Sequence, residues 1–124
     1  MKDMPQISDS EWIVMKILWS NSLYTSSEII KSLPKNTNWK PTTVKTLISR
    51  LVKKDAVGFK KKNRTYYYYP LVTKDECVKA ESKSFLKKVY GGALKPMIAN
   101  FLEIQELSEK DIEELKCILD KKKD

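Results

Sequence analysis

Nine cations between residues 40 and 64, Lys40, Lys45, Arg50, Lys53, Lys54, Lys60, Lys61, Lys62 and Arg64, face one acid, Asp55. Positive charge at that density in a short segment is suited to phosphate, because each cation set against a nucleic-acid backbone releases condensed counterions. Thr42, Thr43, Thr46 and Ser49 are interleaved with the first of these cations. Their hydroxyls donate and accept, so they can address base edges as well as phosphates. At about 100° per residue along a helix, Thr42, Lys45, Thr46, Ser49 and Lys53 share one face, with Thr43 and Arg50 at its margin. That face holds no acid, whereas an ordinary solvent face mixes signs at i, i+4. The competing reading is a solvated basic surface that only keeps the protein soluble.

Other chemistries are poorly supplied. The 124 residues include no histidine, the commonest general base and metal ligand, and only two cysteines, Cys77 and Cys117. No paired acidic constellation compensates, so no catalytic residue, metal or cofactor is expected. A distant cysteine pair permits one disulfide but favours two buried thiols in a reducing cytoplasm. The best apolar stretch near the start, Trp12 to Trp19, is interrupted by Lys16 and falls short of the roughly 20 residues of a membrane span, so no membrane entry is expected.

These side chains need a scaffold, and the composition favours helices: 41% of residues are hydrophobic and 32% charged, with only 3 Gly and 5 Pro for turns. Ser8-Asp9-Ser10-Glu11 is a capping box opening a helix to about Ser20. Its apolar residues spread around most of its circumference, as expected of a central element buried on more than one side. A Ser-Asn-Ser-Leu-Tyr connector leads to a second box, Thr25-Ser26-Ser27-Glu28, and a short helix that Pro34 stops. A third helix begins near Pro41, its stripe Val44, Leu47, Ile48 and Leu51 facing inward.

Beyond Asp55 the pattern alternates, from Val57-Gly58-Phe59-Lys60 to the run Tyr66-Tyr67-Tyr68-Tyr69, which predicts a β-hairpin with a basic tip at Lys61-Lys62-Asn63-Arg64. Three short helices and a hairpin, in that order, make a winged helix-turn-helix, whose third helix enters the major groove. The tyrosines could stack on unpaired bases, but strand alternation favours rings packed on the core and on the opposite face.

A third box, Thr73-Lys74-Asp75-Glu76, opens a helical remainder broken at Gly91-Gly92 and near Leu107-Ser108. Three amphipathic stripes result: Val78, Phe85, Leu86 and Val89; Leu94, Met97, Ile98, Phe101 and Leu102; and Ile112, Leu115, Ile118 and Leu119. About 50 residues are few for an independent core, so the stripes need a second copy or the first half of the chain as cover. Charge divides the chain likewise: residues 1–72 hold 13 basic and 5 acidic residues, and residues 73–124 hold 11 of each. The expectation is a mainly α protein, with a winged helix over 1–72 and a three-helix dimerisation domain over 73–124.

Several segments together resemble the BlaI/MecI group of bacterial penicillinase repressors over almost the whole chain. These are Ile7-Ser8-Asp9-Ser10-Glu11-Trp12 with Val14-Met15 and Ile17-Leu18-Trp19, the stretch from Trp39 to Leu51, Ser84 to Gly92, Asn100-Phe101-Leu102-Glu103, and Leu107-Ser108 with Ile112 to Leu115. The resemblance implies a dimer that binds palindromic operator DNA before β-lactam resistance genes and is inactivated by cleavage when a membrane β-lactam sensor, or its associated protease, is triggered. It places the scissile bond between Asn100 and Phe101, a residue that the stripe alone assigns to core. The implied DNA-binding residues are Thr42, Thr43, Lys45, Thr46, Arg50, Lys53, Lys60, Lys61, Lys62 and Arg64. The implied dimerisation residues are Phe85, Val89, Met97, Ile98, Phe101, Ile112, Leu115, Ile118 and Leu119. Lys40, Thr42 and Lys45 depart from the group's common pattern around the third helix, and Lys45 cannot make the two-pronged guanine contact of an arginine. The copper-responsive branch carries clustered C-terminal cysteines, against Cys117 alone here. A regulator answering another signal, and a winged helix used for protein contacts, are the remaining readings.

Overall fold

A computed structural model of the chain describes residues 4–21 and 23–123. The elements run α1 (Asp9–Trp19), α2 (Ser26–Lys31), α3 (Pro41–Lys53), β1 (Val57–Lys62), β2 (Thr65–Pro70), α4 (Lys74–Tyr90), α5 (Leu94–Ile104) and α6 (Glu109–Lys122). Local sequence sets most of their starts. Ser8 Oγ accepts from the Glu11 amide at 3.2 Å, Thr25 Oγ1 from Glu28 at 3.2 Å and Thr73 Oγ1 from Glu76 at 3.0 Å, and each glutamate accepts in return from the capping residue's amide. Ser108 and Asp111 form a further reciprocal box that opens α6. Such caps contribute about 1 kcal/mol each by satisfying amides that have no partner within the helix.

The chain divides into two compact units, Met1–Ala80 and Glu81–Asp124. In the first, α1 lies against α2, α3 and β2. Glu11, Val14, Met15, Ile17 and Leu18 of α1 are buried, the wrap-around burial its sequence predicts. The α3 stripe Val44, Leu47, Ile48 and Leu51 closes the core from another side, and Ile29, Ala56, Val57 and Val72 complete it with Cys77. Cys77 belongs to the first turns of α4, so this core reaches past Val72 into that helix. The Trp19 indole donates to the Val72 carbonyl at 3.0 Å and packs edge-on to Trp12, tying α1 to the segment that follows the sheet.

β1 and β2 pair antiparallel, with Phe59 opposite Tyr68 and Lys62 opposite Thr65. Two residues, Asn63 and Arg64, make the turn, both left-handed at φ 51° and 68°. That is the type I′ geometry, whose twist matches a two-stranded ribbon. The connector after α1 is more than a linker: Tyr24 exchanges backbone hydrogen bonds with Tyr68 at 3.1 and 2.7 Å, adding a one-residue third strand. Ser22 of that connector lies outside the described residues.

The end of α3 depends on an unusual residue. Asp55 is left-handed at φ 62°, the Ala56 amide donates to the Leu51 carbonyl at 3.0 Å, and the Asp55 amide donates to Val52 at 3.1 Å. This is a Schellman ending with aspartate where glycine is usual. It turns the chain straight from α3 into β1.

In the second unit the Gly91-Gly92 break occurs as predicted, both residues at positive φ. No side chain of α5 or α6 is buried. The expectation of two buried thiols is corrected: Cys77 is buried, but Cys117 is exposed on α6, a helix with no buried residue among those described. Among the described residues, no helix is long and apolar enough to cross a membrane.

Candidate nucleic-acid interface

Burying the Val44, Leu47, Ile48 and Leu51 stripe fixes the rotation of α3 about its axis, and the opposite face follows from that. Thr42, Thr43, Lys45, Thr46, Ser49, Arg50 and Lys53 are all exposed, as the helical spacing predicts. No hydrogen bond or ion pair engages the Lys45, Arg50 or Lys53 side chains among the described residues. The Thr46 hydroxyl donates to the Thr42 carbonyl at 2.9 Å, so it offers outward an oxygen lone pair and a methyl group rather than a proton. Lys40 caps the helix without a side-chain hydrogen bond, and the first turn contains no acid. The amide end of the helix dipole and the side-chain cations therefore have the same sign.

The hairpin carries the second group of cations. Pairing register puts Phe59, Lys61, Tyr66 and Tyr68 on one face of the ribbon and Gly58, Lys60, Lys62, Tyr67 and Tyr69 on the other. The Lys61 ammonium lies 5.5 Å from the centroid of the Tyr66 ring, and that of Lys60 lies 5.8 Å from Tyr69. Ring faces attract cations, so these lysines are braced without being neutralised. Tyr69 covers Gly58 so closely that a Cβ there would meet the ring at 2.8 Å. The tyrosine run divides as strand alternation predicts, with Tyr68 packing on the core. Tyr66 and Phe59 stay exposed and meet edge-on at 5.4 Å between centroids.

One cation of the basic segment is committed elsewhere. Lys54 donates to Glu11 Oε1 at 2.6 Å and to the Gln6 carbonyl at 2.8 Å, so an acid from outside the basic segment pairs with one of its nine cations. Glu11 is 1% exposed. Burial works to raise its carboxyl pKa, but the hydrogen bonds from Lys54 and Ser8 and the Lys54 charge outweigh burial and hold the group below its ordinary range.

In the second unit, Phe85, Val89, Ile98, Phe101, Ile112, Leu115, Ile118 and Leu119 are exposed and Met97 is half-buried. Ile118 and Leu119 keep 64% and 60% of their surface. Phe101, which the stripe alone assigns to core, is 43% exposed. Its ring lies 6.1 Å from Phe85 and 6.3 Å from Tyr90, and the neighbouring Asn100 amide donates to the Tyr90 hydroxyl at 2.9 Å. The Asn100–Phe101 bond thus sits inside α5, in helical backbone.

Residues 7–121 match the family described as penicillinase repressor. The chain belongs to the penicillinase repressor family. It is 42% identical to the penicillinase repressor of Bacillus licheniformis over 99% of this chain and 96% of that one. It is 40% identical to the methicillin resistance regulatory protein MecI of Staphylococcus aureus over 94% and 95%. Among solved structures, the monomeric form of Bacillus licheniformis BlaI in complex with the blaP half-operator aligns with 61% of this chain and 93% of that one, at 41% identity and a TM-score of 0.53. The fold expected from sequence is accordingly the one observed: a mainly helical member of a family of DNA-binding repressors, with a winged helix at its head.

Sequence reasoning missed the Glu11–Lys54 pair, the left-handed Asp55 and the Tyr24 strand. The first had a usable signal, since an acid in the middle of the motif Ser-Glu-Trp beside buried positions needs a partner. The left-handed aspartate had a weaker one, in the abrupt change from helical to alternating period at that residue.

Proposed function

We propose that this protein binds operator DNA as a homodimer, represses β-lactam resistance genes, and is switched off by cleavage between Asn100 and Phe101. The observation that carries the reading is the acid-free outer face of α3, held outward by a buried stripe on its other side. In a winged helix that face enters the major groove, where Thr42, Thr43, Lys45 and Thr46 would meet base edges and Arg50 and Lys53 would meet the backbone. Lys60, Lys61, Lys62 and Arg64 would hold flanking phosphates, which adds affinity for every sequence. The uncovered stripes of the second unit support a two-fold partner. Each large aliphatic side chain fully buried there contributes about 1.5–3 kcal/mol. Upstream, a membrane β-lactam sensor or its associated protease would be the partner that triggers cleavage in the cytoplasm.

Titration of a fluorescent duplex across a salt series tests the DNA reading. The apparent affinity of the intact chain should fall steeply with salt, and replacing Lys60, Lys61, Lys62 and Arg64 together should lower affinity on all duplexes and flatten the slope. Absence of duplex binding at low salt would favour a protein adaptor instead.

A further inference from the structure

We infer that Lys54 and Glu11 form a positioning strut for α3, so that a cation in the middle of the basic segment serves DNA recognition without touching DNA. This rests on the proposal that α3 reads the operator. Lys54 is the residue that caps α3, and its ammonium joins two other parts of the first unit, the carboxylate of Glu11 in α1 and the carbonyl of Gln6 before that helix. Glu11 is itself fixed from its far side. Its Oε1 accepts from the Ser8 amide at 2.9 Å, and its own amide donates to Ser8 Oγ. The first turn of α1 and the last turn of α3 are therefore connected through one carboxylate oxygen.

Geometry separates this lysine from its neighbour. Lys53 is exposed and engages no partner among the described residues, whereas the Lys54 side chain keeps 35% of its surface and aims its ammonium at a buried group. Withdrawing it towards a phosphate would strand the Glu11 carboxylate, 1% exposed, without its counter-charge. The segment after Lys54 is equally constrained. Left-handed Asp55 and the Ala56 to Leu51 hydrogen bond lead directly into buried Ala56, whose carbonyl accepts from the Leu71 amide at 2.9 Å. The packed stripe fixes the rotation of α3 about its axis, and the strut fixes where its C-terminal end lies against α1. Base readout depends on that placement, while backbone attraction does not.

The test uses the full chain, the best duplex that the wild type selects from a random pool, and a scrambled duplex of equal length. Lys54→Met and Glu11→Gln should each lower the ratio of selected to scrambled affinity by about tenfold, comparable to losing one base-pair contact. The salt slope should stay at its wild-type value. Lys53→Met, as the comparison, should weaken both duplexes alike and flatten the slope. Glu11 lies on another helix and cannot reach DNA, so an unchanged ratio in Glu11→Gln would overturn the strut, as would a Lys54→Met slope flattened like that of Lys53→Met. Should either variant unfold, nitrogen-15 lysine spectra of the wild type decide. The Lys54 ammonium should be protected from exchange in the free protein and unmoved when the duplex is added, and a shift as large as that of Lys53 would make it a phosphate contact. If the wild type selects no duplex, the DNA-binding proposal fails first, and a protected Lys54 ammonium would still identify the pair.

Discussion

Arg64→Gly should stabilise the protein and weaken its hold on DNA, two effects of opposite sign from one position. Arg64 is the second residue of the wing turn, at φ 68°. A side chain in left-handed backbone costs about 1–2 kcal/mol through contact of Cβ with the following carbonyl. Glycine relieves that but adds freedom to the unfolded chain, which offsets roughly 0.5–1 kcal/mol. The net gain is about 0–1.5 kcal/mol, or an upward shift in Tm of at most roughly 12 °C for a cooperative unit the size of the winged helix. Binding moves the other way. One lost phosphate contact should reduce the slope of log affinity against log salt by about 0.9. Thermal unfolding by circular dichroism and anisotropy titrations at several salt concentrations read the two effects separately. Asn63→Gly, at φ 51° in the same turn, should leave the salt slope unaltered and not raise Tm, because asparagine already tolerates left-handed backbone. A lower Tm for Arg64→Gly would refute the strain argument, and an unchanged slope would remove Arg64 from the DNA contacts.

Lys45→Ala should cost about 1–3 kcal/mol on the selected duplex and relax base preference there, since Lys45 leaves the middle of the acid-free face; equal loss on selected and scrambled DNA would make it a phosphate clamp. A chain ending at Asn100 should sediment as a monomer and lose about 10²–10⁴ in operator avidity, because Phe101 and the whole α6 stripe go with the cut; a dimeric fragment that binds as tightly as the intact protein would defeat the cleavage switch. The Glu11 carboxyl, held below its ordinary value of 4.5, contributes stability that is complete above that value and is lost as pH falls through its folded value. Acid unfolding of Glu11→Gln should lack that component, so its deficit relative to wild type should shrink as pH falls below about 4.5, and a constant deficit would count against the pair.

What could be read from the sequence is what short spacing encodes. Ser8 and Glu11, Thr25 and Glu28, and Thr73 and Glu76 are three residues apart, so one helical turn brings them together whatever the rest of the chain does. The face of α3 was legible for the same reason, because Val44, Leu47, Ile48 and Leu51 fix which residues point away from the core. Contacts between distant residues were not. Lys54 looked like one more cation until folding set it against Glu11, and Tyr24 looked like loop until Tyr68 came beside it. Ser108 escaped notice as a cap because aspartate, not glutamate or glutamine, stands three residues later. Cys117 differs for another reason: the spacing of two cysteines says nothing of which helix face each occupies, and this one falls on the exposed α6.

The braced lysines of the wing have a consequence in the freedom they leave it. Lys60 and Lys62 depart from one side of the ribbon and Lys61 from the other, and Tyr69 and Tyr66 steady a cation on each side. A ribbon charged on a single side would have to be rolled correctly about its long axis before it could meet a phosphate. This ribbon has no neutral side, so although Tyr68 fixes its base on the core, its tip presents a cation to whichever flank an anion approaches.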